Sequence, residues 1–330
     1  MIIFGCVQHN QKRMKSIKYL LFLIILAFIG LSIYVAVQPN SFEVSKTTSI
    51  KAPASIIFDM VNDSTQQNTW TSFNPEDQTK TLNATAPNTI TQQLKSTNLP
   101  TSDINWSFQP DGKGATNVTQ TLKADNLSFG FKMASVFKGD VAHQLGSKME
   151  QNLGKLDSAV IKSMEVYSIK INGLTDYGGG FFMYKSIATT VNNLSNVMAK
   201  QYAEIMNFMS EHSIPFTGMP FTIYLKMDSE TNNVVISNAI PVKDKINVAD
   251  DSPVLCGYMD RTKALKVTLK GNYTNLGEAW EKAFQYIKDN HLEPSEMSPF
   301  EVYTNDPGST PNPANWITEI YIPVKENKVQ

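Results

Sequence analysis

The chain has 330 residues, enough for two domains of ordinary size, because single cores rarely keep growing past roughly 150 to 250 residues. Its 29 basic and 30 acidic residues nearly cancel, and no Lys/Arg cluster beyond the first twenty residues is dense enough to track a phosphate backbone, so nucleic acid is not an expected partner. Two cysteines, Cys6 and Cys256, and four scattered histidines, His9, His143, His212 and His291, offer neither a disulfide framework nor zinc-ligand spacing, and no metal or cofactor is expected.

Residues 19–37, "YLLFLIILAFIGLSIYVAV", carry no charge and as a helix span about 28 Å, the hydrocarbon thickness of a bilayer. Lys12, Arg13, Lys15 and Lys18 precede the run, whereas Gln38, Pro39 and Asn40 follow it. The bias predicts residues 1–18 in the cytoplasm, a single crossing over 19–37 and an exported remainder, at a bacterial inner membrane. A cleavable signal peptide is the competing reading, but the apolar run is longer than the usual h-region, and Tyr34 stands where a small residue is wanted before Ala36. Met14 opens "MKSIKYLLF", a complete anchor opening, and is an alternative start.

A first soluble region covers about 40–162. "SFEVSKTTSI" alternates as a half-buried strand, and Pro53 starts a short helix carrying Ile56, Ile57, Met60 and Val61. After Trp70 the polar runs "TITQQLKS", "INWSFQPDGKGATNVTQTLKAD" and "LSFGFKMASVF" read as antiparallel strands, with "PDGKG" as a turn. Val141, Leu145, Met149, Leu153, Leu156 and Val160 then trace one apolar stripe on a long closing helix, which over a curved sheet gives a helix-grip arrangement.

The order strand, I-x-A-P, F-D-x-V-x-D, W, then W-x-F-x-P-D-G-x-G-x-x-V-x-x-T resembles the START-like SRPBCC superfamily, also called polyketide cyclase/dehydrase-like. The resemblance implies an apolar cavity between helix and sheet that holds lipids or other hydrophobic small molecules. Trp70, Trp106, Phe108, Phe129 and Phe131 are bulky enough to line it or simply to pack the core. His143 has no carboxylate in fixed sequence relation to it, and no catalytic set emerges here.

A second region, 164–326, says one thing twice. "HSIPFTGMPFTIY" at 212–224 returns 79 residues later as "HLEPSEMSPFEVY" at 291–303, and each copy leads to Ile-Pro-Val, at Ile240–Val242 and Ile322–Val324. Two repeats, about 164–243 and 254–326, each running strand, helix, strand, strand, would pair around a shared core. Leu194, Val197, Met198, Tyr202, Ile205 and Met209 form the first helical stripe; Leu276, Ala279, Trp280, Ala283, Phe284 and Ile287 form the second. Asn275 and Glu278 have capping-box spacing, and His-x-x-Pro ends each helix. "DYGGGFF" at 176–182 lacks the Lys-Ser/Thr of a phosphate loop and reads as a turn. The whole chain is thus expected to be α+β: a transmembrane helix, a helix-grip domain and a duplicated strand-helix-strand-strand domain.

Gly271-x-Tyr273, Trp280, "PFEVYTNDP" and "TEIYIPV" resemble the GyrI-like, or AraC-type effector-binding, family. That resemblance implies a small-molecule pocket between the halves, lined by aromatic rings with a carboxylate near its floor, that in several members receives lipophilic cations. Ring faces attract a delocalised cation, and a buried carboxylate without a partner is costly until a cation neutralises it. Period-two alternation puts Glu301 and Tyr303 on one side of their strand, with Thr222 and Tyr224 at the matching places of the first copy. Glu301 is the expected pocket acid, with Tyr303, Tyr273, Trp280 and Tyr224 as candidate walls. Glu319 and Tyr321 alternate likewise and are the replacement pair.

The leading functional expectation is a membrane-anchored protein that holds hydrophobic ligands, lipophilic cations among them, for sensing, sequestration or transfer. Candidate ligand-binding residues are Glu301, Tyr303, Tyr273, Trp280, Tyr224, Trp70 and Trp106. The alternative is a hydrolase of a small reactive molecule with Glu301 as general base. Regulation of DNA ranks third, because no basic recognition helix is visible.

Overall fold

The computed structural model describes residues 4–71, 77–97, 99–139, 141–228, 230–305 and 307–325, with side chains at all of these except 4–16, 68 and 138. Cys6, Lys12, Arg13 and Lys15 therefore fall outside the described side chains, and residue 326 lies outside the described residues. The chain divides into two compact units, Met1–Ile161 and Lys162–Gln330. Each is built on its own antiparallel sheet, so the fold is mixed α+β.

The first unit begins with helix α1 (Phe4–Ala36), of which Ile17–Ala36 is long and apolar enough to cross a membrane by length and composition. Next come β1 (Phe42–Ile50), α2 (Ala54–Asn62), the single turn α3 (Gln67–Trp70), β2 (Gln78–Thr85), β3 (Thr89–Lys95), β4 (Ser102–Pro110) and β5 (Thr116–Ala124). They form a five-stranded sheet in the order β1-β5-β4-β3-β2. At the "PDGKG" turn Asp111 Oδ1 accepts from the backbone N–H of Lys113 and Ala115, fixing the β4–β5 hairpin.

Two helices follow, α4 (Phe129–Lys138) and α5 (Val141–Glu165). Helix α5 buries Leu145, Met149, Leu153, Leu156 and Val160, the stripe seen in the sequence, and crosses β1 at Gly146. A Cβ there would stand 2.9 Å from Lys46 Cε, whose ammonium instead reaches Glu150 at 2.5 Å. Segment 128–138 corrects the sequence expectation: it is helical, not a strand. Ser128 caps it by accepting from Phe131 N–H, and Phe129, Met133, Val136 and Phe137 fall at helical spacing, which the short Phe-Gly-Phe alternation concealed.

The second unit contains β6 (Ser168–Tyr177), β7 (Gly180–Thr190), α6 (Leu194–Glu211), β8 (Phe221–Asp228), β9 (Asn233–Val242), β10 (Leu255–Met259), β11 (Thr262–Lys270), α7 (Leu276–Asp289), β12 (Phe300–Tyr303) and β13 (Ile317–Pro323). Its eight-stranded sheet runs β10-β7-β9-β8-β12-β13-β11-β6. Each repeat is therefore strand, helix, strand, strand with one further strand in front, and the front strands are exchanged: β6 pairs with β11 and β10 with β7. Only Asp260 and Arg261 separate edge strand β10 from β11, which lies beside the other edge. Two residues reach no more than about 10 Å, so the sheet must curl until its edges approach at that end. Gly178 makes the adjoining turn with φ 93°, and a Cβ there would lie 2.3 Å from the carbonyl oxygen of Asp260, so only glycine fits.

One face of the sheet is covered by the helices. Leu265, Val267, Leu269, Ile320, Ile322 and Val324 pack with Ala279, Ala283 and Ile287 of α7, while Met183, Ile240 and Val242 pack with Ile205 and Met209 of α6. The opposite face gathers Phe182, Phe221, Phe300 and Tyr321 with Tyr177 and Tyr184. The expected capping box is absent: Asn275 makes no side-chain cap, because a 3₁₀ turn at Tyr273–Asn275 precedes α7 and is capped by Asn272. Glu278 instead accepts from Tyr167 O–H and pairs with Lys282.

Candidate functional site

Strands β8 and β12 are the central pair of the sheet, and their register is Phe300↔Ile223, Glu301↔Thr222 and Val302↔Phe221. Alternation then sends Glu301, Tyr303, Thr222 and Tyr224 to the helix-covered face. Glu301 is 1% exposed. Its Oε1 accepts from Trp280 Nε1–H at 2.5 Å and its Oε2 from Tyr303 O–H at 2.6 Å, while Tyr224 adds a third hydrogen bond. Burial pushes the carboxyl above the ordinary carboxylate range, and the donors from Tyr303, Trp280 and Tyr224 oppose that rise. No lysine, arginine or histidine pairs with it among the described residues. Burial likewise raises the phenols of Tyr303 and Tyr224 well above their usual value, with the Glu301 charge adding to the effect.

Five of the sequence-predicted residues thus meet in one place. Tyr224 lies edge-on to Trp280 with ring centroids 5.6 Å apart, and Tyr273 lies edge-on to Tyr303 at 5.8 Å. Tyr273 also tilts against Trp316 at 4.7 Å, and Trp280 stacks on exposed Phe284 at 5.7 Å. Tyr273, Trp280 and Tyr303 are half-buried, so the acid sits at the floor and the rings form the rim. Gly271 sets the wall: its φ of 142° and the 2.3 Å that would separate a Cβ from Tyr167 Cβ require glycine two residues before Tyr273.

The first copy builds a neutral counterpart. Tyr202 O–H and Thr222 Oγ1 lie 2.8 Å apart, Thr222 donates to Asn238 Oδ1 at 2.7 Å, and Asn238 donates to Gln201 Oε1 at 2.7 Å. Tyr202 is the residue the sequence reading left among core positions. Its ring lies edge-on to Tyr303 at 6.3 Å, completing the rim from α6. The buried faces of the helices align Gln201, Ile205 and Met209 with Ala279, Ala283 and Ile287, an offset of 78 that places Tyr202 where the second copy has Trp280. Thr318, on the same face and cross-strand from Tyr303, is fully buried, and its hydroxyl has no partner among the described residues.

The replacement pair does not substitute. Val302 is the register partner of Glu319, so Glu319 and Tyr321 point to the other face, where Glu319 is neutralised by Lys266 at 2.7 Å and bonded by Tyr321 O–H at 2.7 Å. Trp70 and Trp106 belong to the first unit and are not among the residues gathered at Glu301; their rings meet edge-on at 5.7 Å, and Trp106 Nε1–H donates to Gln92 Oε1 at 3.0 Å. Both are almost wholly buried with Phe108. Phe129 and Phe131 are not inner-face residues: Phe129 is exposed, and Phe131 stacks on Phe42 at 6.0 Å. Gln120, cross-strand from Trp106, is fully buried with neither amide atom partnered among the described residues.

The second unit is thus a curled antiparallel sheet under two helices, with ring-walled polar groups at its centre. Residues 188–325 match the family model described as the GyrI-like small molecule binding domain, so the second unit contains a GyrI-like domain. Similar solved structures include the EcmrR C-terminal domain (20% identity, 48% of this chain and 98% of that one, TM-score 0.40) and EcmrR in an EcmrR-DNA complex (15%, 66% and 88%, TM-score 0.42). A third is SAV2435 bound to tetraphenylphosphonium (14%, 49% and 94%, TM-score 0.32). The comparison with curated proteins found no match.

Proposed function

We propose that this protein is a membrane-anchored binder of hydrophobic small molecules, and that its GyrI-like domain receives lipophilic cations between α6 and α7. The observation that carries this reading is Glu301: a buried carboxyl held by three neutral donors, ringed by aromatic faces and lacking a cationic partner among the described residues. Neutral donors offset only part of the desolvation of a buried charge, so a cation reaching the floor gains attraction that bulk water does not offer. The rings add attraction through their faces. Trp280, Tyr303, Tyr273, Tyr224 and Tyr202 are the walls.

The first unit is a START-like, helix-grip module whose inner face, with Trp70 and Trp106, holds a hydrophobic ligand. Support comes from the element order, the sequence pattern and the long stripe of α5 over β1. The α1 run and the preceding Lys12, Arg13, Lys15 and Lys18 favour an anchor in a bacterial inner membrane, with the chain beyond α1 outside the cytoplasm. Together these parts suit sensing, sequestration or transfer.

Binding of rhodamine 6G to wild type and to Glu301→Gln tests the role of the acid. The expected loss is about tenfold or more, the scale of a hydrogen-bonded charge; equal affinities would remove that role. A second reading, hydrolysis with Glu301 as general base, is favoured by the raised carboxyl and the Tyr303 O–H beside it. It requires p-nitrophenyl butyrate turnover that Glu301→Gln abolishes, and unchanged turnover would eliminate it.

A further inference from the structure

Helix α4 is built with its polarity reversed. Phe129, Met133, Val136 and Phe137 fall at i, i+4, i+7 and i+8 and form one stripe, and Phe129, Val136 and Phe137 are 46%, 36% and 68% exposed. Lys132 faces inward instead: it is 7% exposed, and its ammonium donates to Gln38 O at 2.8 Å and to Asn40 Oδ1. Leu127 N–H donates to Asn40 O at 2.9 Å, and Phe131 stacks on Phe42. A helix meeting only water would place the ammonium outside and the rings inside.

What these bonds hold is the end of α1. Gln38 and Asn40 come two and four residues after Ala36, and Val35 of α1 is fully buried. The ties therefore fix α4 at the level where the apolar run of α1 stops. If α1 spans a bilayer, the surface at that level is the headgroup layer.

We propose that α4 is an interfacial helix, resting its Phe129, Val136 and Phe137 stripe in the headgroup–acyl boundary of the bilayer that α1 crosses. This rests on the reading of α1 as a membrane anchor. Lipid is favoured over a protein partner because the Lys132 and Leu127 ties hold α4 beside the end of α1, so a bilayer around α1 reaches the level of this helix without any further component. Insertion of a short amphipathic helix by roughly 5 to 10 Å suits three apolar side chains on a ten-residue helix. The consequence is orientational, since α4 would pin the first unit to the membrane surface by a second point beside its tether.

The test uses the full chain with Cys6→Ser and Cys256→Ser, reconstituted in phosphatidylcholine nanodiscs. A nitroxide is attached in turn at Phe137→Cys and Val136→Cys on the stripe, at Ile24→Cys within α1 and at Lys113→Cys on the exposed β4–β5 turn. Electron paramagnetic resonance then compares relaxation by oxygen, which partitions into lipid, with relaxation by a water-soluble nickel chelate. The expected oxygen-to-nickel ratio at 136 and 137 is severalfold above that at 113 and approaches that at 24. A lipid-like ratio at 24 with 136 and 137 matching 113 would overturn the proposal and leave the anchor standing. A water-like ratio at 24 would remove the anchor and the proposal together. Shielding of 136 and 137 from both relaxants would assign the stripe to a protein partner or second copy and likewise overturn it.

Discussion

Glu301 and Thr222 are direct register partners across the central β8–β12 strand pair, so the one charged floor residue of the second copy stands opposite the hydroxyl that replaces it in the first. Thr222 is fully buried and fixed between Tyr202 and Asn238. Opposed residues of an antiparallel pair have Cα atoms only about 4.5 to 5.5 Å apart, too close for two buried carboxylates to ionise together. Thr222→Glu is therefore expected to destabilise the protein by about 3 kcal/mol or more at neutral pH and to recover part of the loss in acid. Urea unfolding at pH 7 and pH 4 measures it, and a loss independent of pH would point to volume rather than charge.

The Glu301 carboxyl is raised by burial, which fixes the sign of its contribution to stability. The folded protein holds that proton to a higher pH than the unfolded chain does, so stability is fullest below the ordinary carboxylate value of about 4.3 and falls as pH rises toward the folded value. Glu301→Gln is thus expected to raise the thermal midpoint of the ligand-free protein at neutral pH and to leave it nearly unchanged in acid. A stabilisation of about 1–3 kcal/mol is the scale expected. Thermal melts across this range decide it, and a variant less stable than wild type at pH 7 would contradict the sign.

Trp280→Phe keeps a ring and removes the indole donor that reaches Oε1. With one of three opposing hydrogen bonds gone, burial raises the carboxyl further. The midpoint of the pH dependence of rhodamine 6G binding is expected to move up, with affinity at high pH changed only a few-fold. An unshifted midpoint would mean that the indole packs without holding the acid.

Gln120 tests the interior of the first unit. Both of its amide atoms are buried without partners among the described residues, so Gln120→Leu exchanges an unsatisfied group for an apolar one of similar length. The expected result is a gain of about 1–3 kcal/mol in urea unfolding. A loss of stability would show that the amide is satisfied by water in solution.

Much of the second unit was legible because its repeat constrains both halves at once. The strand motif carried true register: Phe221 and Phe300, Thr222 and Glu301, and Tyr224 and Tyr303 occupy matching places. The helix ends did not follow the same spacing. Ser213 and His291 share the left-handed backbone, Ile214 N–H and Leu292 N–H close their helices onto Met209 O and Ile287 O, and Thr217 and Ser295 each bond the proline of Ile-Pro-Val. These pairs are 78 apart, so His212 and His291 coincide in sequence without being equivalent, and one extra residue in the second loop restores the strand offset of 79. Aligning the buried helical stripes rather than the motif would have revealed Tyr202 as the partner of Trp280. Helix α4 was misread because alternation over three residues is satisfied by either period, and its outward rings imitate a buried strand.

The exchange of opening strands has a further consequence for how this domain came to be whole. Because β6 is hydrogen-bonded to β11 and β10 to β7, neither half carries a complete set of its own pairings. The halves are laced like clasped hands. A chain divided in the 243–253 connection should regain structure only when both pieces are present together, so the duplication behind this domain left behind a single indivisible folding unit.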